Sequence, residues 1–255
     1  MGRMIPAGPY ARRMARPLRS LLRRVSATPI DVTVLGQQRM RLHTQGNSCE
    51  KRILILPHLY DRYELRLLSR ALHPRCVFID VGANVGIYSI FAALRAGAEA
   101  RIIAVEPHPL ALERLCCNIL INELTNVAVE PVALGDHRGP VMLKSNQHNI
   151  GRSSIVFDQN GPANNLIEVP GETLVNLCIK HRLTRIDALK LDVEGAEDRI
   201  LFPFFATAAP ELWPRLVLVE NSANEWRQDC PSLLLEKGYR QKKIPTRNLV
   251  FLRPQ

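Results

Sequence analysis

From Cys76 onward the chain alternates short apolar runs with longer stretches whose apolar residues recur at helical spacing. The short runs predict strands at about 77–81, 102–106, 127–133, 187–192, 215–220, 240–244 and 248–252. The intervening stretches predict helices near 86–96, 109–123, 172–181, 195–206 and 229–237. Pro109 suits a first helical turn, and Gly97 and Gly238 suit helix ends. Strands alternating with helices imply an α/β fold, a mostly parallel sheet with helices on both faces. The last two strands, joined around Pro245 and Thr246, predict an antiparallel hairpin that closes one sheet edge.

Upstream the pattern changes. DVTVLGQQRMRLHT reads as two short strands around Gly36 and Gln37, and residues 49–72 as two helical segments separated near Pro57. Residues 18–25 predict a short amphipathic helix with Leu18, Leu21, Leu22 and Val25 on one face. Between 135 and 170 the chain is rich in Gly, Asn and Ser, with strand-like pieces VMLKS, SSIVF and LIEV. The expected division is an N-terminal arm over 1–30, a hairpin and helices packing on the core over 31–75, and the main domain over 76–255.

Composition adds a core and an asymmetry of charge. Hydrophobic residues make up 46% of the chain, enough for a sizeable core. The net charge is +10, but residues 1–30 hold seven arginines and no acid, which leaves +3 for the remainder. Such an arm can meet anionic lipid, and peripheral membrane contact is expected of it. Its Arg-rich, acid-free composition also resembles a mitochondrial transit peptide. The six cysteines show no C-x-x-C or zinc spacing and read as reduced thiols. No apolar run of about 18 residues predicts a membrane span, so a cytoplasmic protein is expected.

Candidate chemistry lies where apolar runs end. VFIDVGANVGIYS is strand, glycine turn and helix, and IIAVEPHP is a second strand closing on Glu106. The turn spacing is G-x-N-x-G (Gly82, Asn84, Gly86), whereas a dinucleotide fingerprint would need a glycine at Ile87. The spacing therefore suits a nucleoside cofactor without a diphosphate, such as S-adenosylmethionine. Asp80 can support the turn or reach the cofactor's ammonium group. Glu106 can accept from both ribose hydroxyls, at roughly 1.5–3 kcal/mol per bond. In ALKLDVEGAEDRIL another strand ends in Asp192, followed by Glu194, and LVLVEN ends in Glu220. Asp192 is the first candidate for orienting or deprotonating a substrate hydroxyl, with Glu194 and Glu220 next. Asp192 and Glu220 have oxygens suited to a divalent cation, but neighbouring strand-end carboxylates more often serve hydrogen bonding, and no metal is assigned. Glu197 and Asp198 read as ordinary acids of a first helical turn. Ala133, Leu134 and Asp136 fall where an adenine wall would be, and His148 and Ser153 fall in a polar, substrate-facing loop.

FIDVGANVGIYS, AVEPHPLALERLCCNILIN, VALGDHRG and above all IDALKLDVEGAEDRIL resemble the FkbM-type S-adenosylmethionine-dependent methyltransferases, over roughly residues 50–255. The resemblance implies a class I methyltransferase fold, a Rossmann-like seven-stranded sheet with helices on both sides. It also implies O-methylation of a hydroxyl on a sugar, glycan or polyketide-like molecule. Carried onto this sequence, Asp80, Gly82, Asn84 and Gly86 would line the methionine part of the cofactor. Glu106 would hold the ribose, and Asp136 or its neighbours would approach the adenine. His108 stands where the family more often shows Asn, and no role is assigned to it.

Three rival readings remain. A nucleic-acid methyltransferase would explain the basic arm, but the chain has no N/D-P-P-Y/F block and its 5% aromatic content is thin for base stacking, so nucleic acid is not expected as a partner. A non-catalytic nucleoside-binding module need not place a carboxylate at 192. A nicotinamide-dependent dehydrogenase is disfavoured by the turn spacing.

Overall fold

A computed structural model describes residues 28–146, 149–156 and 165–254. The helix expected over 18–25, almost all of the basic arm, and His148 lie outside the described residues.

The chain enters through an antiparallel hairpin, β1 (Ile30–Val34) and β2 (Gln38–Leu42). In β2 the alternation is strict, with Met40 and Leu42 buried and Arg39 and Arg41 facing solvent. Two short helices follow, α1 (Ser48–Ile55) and α2 (Arg62–Ala71). Asn47 caps α1 by accepting from Cys49 N–H at 2.9 Å.

The regular alternation then begins with β3 (Val77–Val81), α3 (Ile87–Ala96), β4 (Arg101–Val105), α4 (Pro109–Ile121) and β5 (Val127–Glu130). The strand expected over 127–133 stops at Glu130. Pro131 has no N–H to give the ladder, and the chain leaves for a second sheet. That sheet is built from β6 (Ala133–Gly135), β7 (Gly139–Lys144), β8 (Ser154–Val156) and β9 (Leu166–Thr173), in the order β6-β9-β7-β8. The strand-like pieces of the polar insertion are thus parts of one small sheet. The next helix, α5 (Leu174–Lys180), starts two residues later than expected, because Thr173 is its cap and accepts from Asn176 N–H at 3.2 Å.

The main sheet resumes with β10 (Ala188–Leu191), α6 (Glu197–Thr207), β11 (Leu216–Val219), α7 (Cys230–Glu236), β12 (Arg240–Gln241) and β13 (Leu249–Leu252). Its order is β12-β13-β11-β10-β3-β4-β5. β13 runs antiparallel to both β11 and β12, and the other pairings are parallel. This is the class I methyltransferase architecture that the resemblance implies. β12 is shorter than the expected 240–244, although Lys242 N–H still donates to Val250 O at 2.8 Å.

Residues alternate between two cores. Ile79, Leu189, Val217 and Phe251 pack against α5, α6 and α7. Phe78, Ala188, Leu218 and Val250 pack against α1, α2, α3 and the β1–β2 hairpin. Leu189 is fully buried, and truncating such a residue to alanine costs about 2–5 kcal/mol. Hydrogen bonds from α4 tie down the hairpin edge. Asn118 and Asn122 accept from Arg41 N–H and Arg39 N–H at 2.8 and 2.9 Å. Asn118 also donates to Val85 O at 3.0 Å, which links the hairpin to the glycine turn. Among the described residues no helix is long and apolar enough to cross a membrane.

Candidate active site

Glu106, Asp192 and Glu220 each lie one position beyond a strand. Their backbone N–H groups still donate to the neighbouring strand, at Glu130 O (3.0 Å), Val81 O (3.1 Å) and Leu191 O (2.9 Å). The parallel ladder therefore holds three carboxylates at the same end of the sheet, where α/β proteins bind ligands.

The glycine turn after β3 is anchored by Gly82 and Ala83 N–H groups, which both donate to Val105 O at 3.0 Å. Gly82 has φ +74°, and a Cβ there would overlap the Asp192 carbonyl oxygen. Only glycine lets the loops after β3 and β10 approach this closely. Asn84 is left-handed (φ 53°), a region Asn tolerates better than most residues. Its N–H donates to Glu106 Oε2 at 2.7 Å, and its Oδ1 accepts from Asn47 Nδ2 at 2.7 Å. Gly86 serves packing, since a Cβ there would sit 2.6 Å from Leu115 Cδ1 of α4.

Glu106 also accepts from His108 N–H at Oε1, 2.9 Å away. Each carboxylate oxygen thus has one backbone donor and keeps capacity for a second. Burial pushes its pKa up to about 7, against the opposing pull of the two N–H groups. His108 caps α4 by accepting from Leu110 N–H at 3.2 Å, a structural role.

The other half of the site centres on Lys190, a residue that the motifs alone do not single out. Lys190 pairs in register with Asp80 across β10 and β3. Its Nζ lies 3.3 Å from Asp80 Oδ1 and 3.2 Å from Asp192 Oδ2, over the Tyr88 ring at 5.1 Å. Burial disfavours the ammonium, but Asp192 and Asp80 outweigh it and raise its pKa. A lysine two residues before Asp192, on the same face of an otherwise apolar strand, was the available signal. Asp80 is fully buried, accepts from Ser89 Oγ at 2.6 Å, and supports the turn through Lys190 rather than lining the cavity.

Asp192 keeps 42% of its side-chain surface accessible. Burial acts against its ionisation, but Lys190 and a hydrogen bond from Glu220 prevail and lower its pKa. Glu220 moves the other way, up to about 9, through burial and the adjacent Asp192 charge. Glu194, left-handed at φ 54°, rises to about 7 through burial and Asp192. One oxygen from each of the three lies within 4.8 Å of the others, so they could hold a divalent cation. Glu197 does more than complement a helix dipole. It accepts from Val193 N–H at 3.0 Å and Trp226 Nε1 at 2.7 Å, fixing the loop that carries Glu194.

A cavity of about 1190 Å³ joins these parts. Gly82, Asn84 and Glu106 line one side, Asp192, Glu194 and Glu220 another, and Val132, Ala133 and Leu134 form an apolar wall. Ser153 also lines it, whereas Gly86 does not. Asp136 is also away from the cavity, pairing with His137 at 2.6 Å and Arg199 at 3.4 Å.

The profile of the "Methyltransferase FkbM domain" matches residues 80–241. "Methyltransferase sdnD" of Sordaria araneosa is 28% identical over 195 residues, which cover 63% of this chain and 72% of that protein. "Methyltransferase 1" of Beauveria bassiana (strain ARSEF 2860) is 26% identical over 140 residues, 48% of this chain and 56% of that protein. Among solved structures, "Methyltransferase FkbM" from Methylobacillus flagellatus KT aligns with a TM-score of 0.48 at 11% identity, covering 95% of this chain and 59% of that one. With that domain matched over more than half of this chain, the chain belongs to the FkbM family of S-adenosylmethionine-dependent methyltransferases.

Proposed function

We propose that the protein methylates a hydroxyl group of a sugar, glycan or polyketide-like small molecule. The observation that carries this reading is Asp192, held ionised by Lys190 in the cavity that Gly82, Asn84 and Glu106 also line.

The residues present fit the family's cofactor. Glu106 has a free acceptor site on each oxygen for a pair of ribose hydroxyls. Val132, Ala133 and Leu134 offer an apolar wall for a base. Bound there, S-adenosylmethionine supplies a methyl group activated by its positively charged sulfur. Asp192 accepts the hydrogen bond of an incoming hydroxyl and takes its proton as the oxygen becomes a nucleophile. Lys190 keeps that base charged, while Glu220, protonated at neutral pH, can donate to Asp192 or to the substrate. Orienting the two reactants can remove roughly 7–11 kcal/mol of barrier, so most of the catalysis would come from placement.

The test is incubation of the protein with methyl-labelled cofactor and a cell extract, followed by mass spectrometry of the labelled species. Label on an oxygen of a small hydroxylated compound supports the reading, and label on nucleic acid or on nitrogen contradicts it.

A further inference from the structure

A second groove, of about 1060 Å³, adjoins the cavity. Arg152, Glu194, Glu220, Thr246, Arg247 and Asn248 line both, so the two spaces meet beside the candidate reacting carboxylates. Two buried polar atoms at this junction, Glu220 Oε2 and Thr246 Oγ1, have no hydrogen-bond partner among the described residues. Buried polar atoms are rarely left unpaired unless a ligand or water completes them.

At and beyond the junction the groove is rich in cations. Lys144 from the end of β7, Arg152, and Lys242, Lys243 and Arg247 from the β12–β13 connection are all exposed along it. Of these, only Arg152 has an acidic neighbour close enough to act on, Glu194, among the described residues. Three separate segments thus bring like charges together, an arrangement that favours an anion between them. Among the described residues the groove's acids are Glu194, Glu220 and Glu225. The first two lie at the junction, and Glu225 packs against Gly195 beside it. Carboxylates and two arginines thus meet at the junction, and the three lysines line the groove beyond it, where Glu225 is the one exposed acid among the described residues.

We infer that the methyl acceptor carries an oxyanion in addition to the hydroxyl that reacts, with the hydroxyl at Asp192 and the oxyanion held by Arg152, Arg247 and the lysines of the second groove. Arginine and lysine hold phosphate or carboxylate oxygens through charge-assisted hydrogen bonds. This rests on the methyltransferase reading for the identity of the acceptor, but the groove can be tested without turnover.

Inorganic pyrophosphate is titrated calorimetrically into the full chain at low salt, with and without S-adenosylhomocysteine. Saturable one-to-one binding is expected, weakened about tenfold or more in Lys242→Gln/Lys243→Gln, as loss of charge-assisted bonds implies. Affinity for S-adenosylhomocysteine should be unchanged in that variant, which also shows that it folds, and Lys243→Gln alone provides a milder second variant. Absence of pyrophosphate binding, or equal binding by the variants, overturns the inference. Failure to bind S-adenosylhomocysteine would instead count against the methyltransferase reading. Competition by glucose 6-phosphate or glucuronate tells phosphate from carboxylate, and equal competition by glucose overturns the proposal. Displacement of pyrophosphate by a short RNA at far lower concentration than by either anionic sugar would overturn it in favour of nucleic acid.

Discussion

The carboxyl ends of β3 and β4 and those of β10 and β11 furnish two sides of one cavity, and they treat their carboxylates differently. Glu106 is gripped by two backbone N–H groups, with distances of 2.7 and 2.9 Å that the glycine turn and the start of α4 dictate. Asp192, Glu194 and Glu220 face one another, linked through side chains and a single lysine, with one oxygen of Glu220 left unpaired. A rigid backbone frame suits recognition of a constant ligand. A cluster of carboxylates with pKa values driven apart suits the holding and passing of a proton.

The largest break in this comparison comes where the two halves touch. Gly82→Ala forces a side chain into the Asp192 carbonyl at a left-handed position, so both halves should lose their geometry. Loss of S-adenosylhomocysteine binding together with a lowered melting temperature is expected. Next is Lys190→Met, which strands Asp80 in the core without its cation. Removing one partner of a buried pair costs about 3–5 kcal/mol, measurable by denaturant titration, and Lys190→Arg should recover part of it. Glu106→Gln should weaken S-adenosylhomocysteine by about 10-fold, in line with roughly 1.5 kcal/mol per charged hydrogen bond, with acceptor binding unaffected.

Smaller effects follow from protons. The folded pKa values of Glu106 and Glu194 are raised to about 7, and that of Glu220 to about 9. The folded chain thus binds more protons than the unfolded chain between the ordinary glutamate range and about pH 9. Stability should therefore fall as pH rises through that window, and Glu220→Gln should flatten the upper part of the decline in a melting-temperature profile. Least of all should be the effect of chelators. Lys190 already supplies a cation beside Asp192, so EDTA should leave methyl transfer unchanged, and a loss restored by magnesium would assign a metal to the three carboxylates.

Much of the frame is legible in the residues alone, because apolar runs such as VFI and LVLV have one stable use, as buried parallel strands ending in polar loops. The small second sheet is harder to read. β6 and β8 have three residues each, and β6 and β7 pair with β9 far along the chain, so only isolated pieces show. Glu106 and Asp192 mark strand ends and can be found by position. Asp136 follows a strand in the same way, but that strand belongs to the second sheet, and its side chain turns out to Arg199. Lys190 stands out locally only as a charge in an apolar strand, and its partner Asp80 is set by register between β10 and β3.

The division between a backbone-held binding side and a proton-handling side is tested most directly by Asp192→Asn. Affinity for S-adenosylhomocysteine should stay near that of the parent protein by calorimetry, while incorporation of labelled methyl into extract acceptors falls by about 100-fold or more. Unchanged incorporation, or a loss of cofactor affinity that accounts for the whole defect, would contradict the assignment of Asp192 to the reacting side.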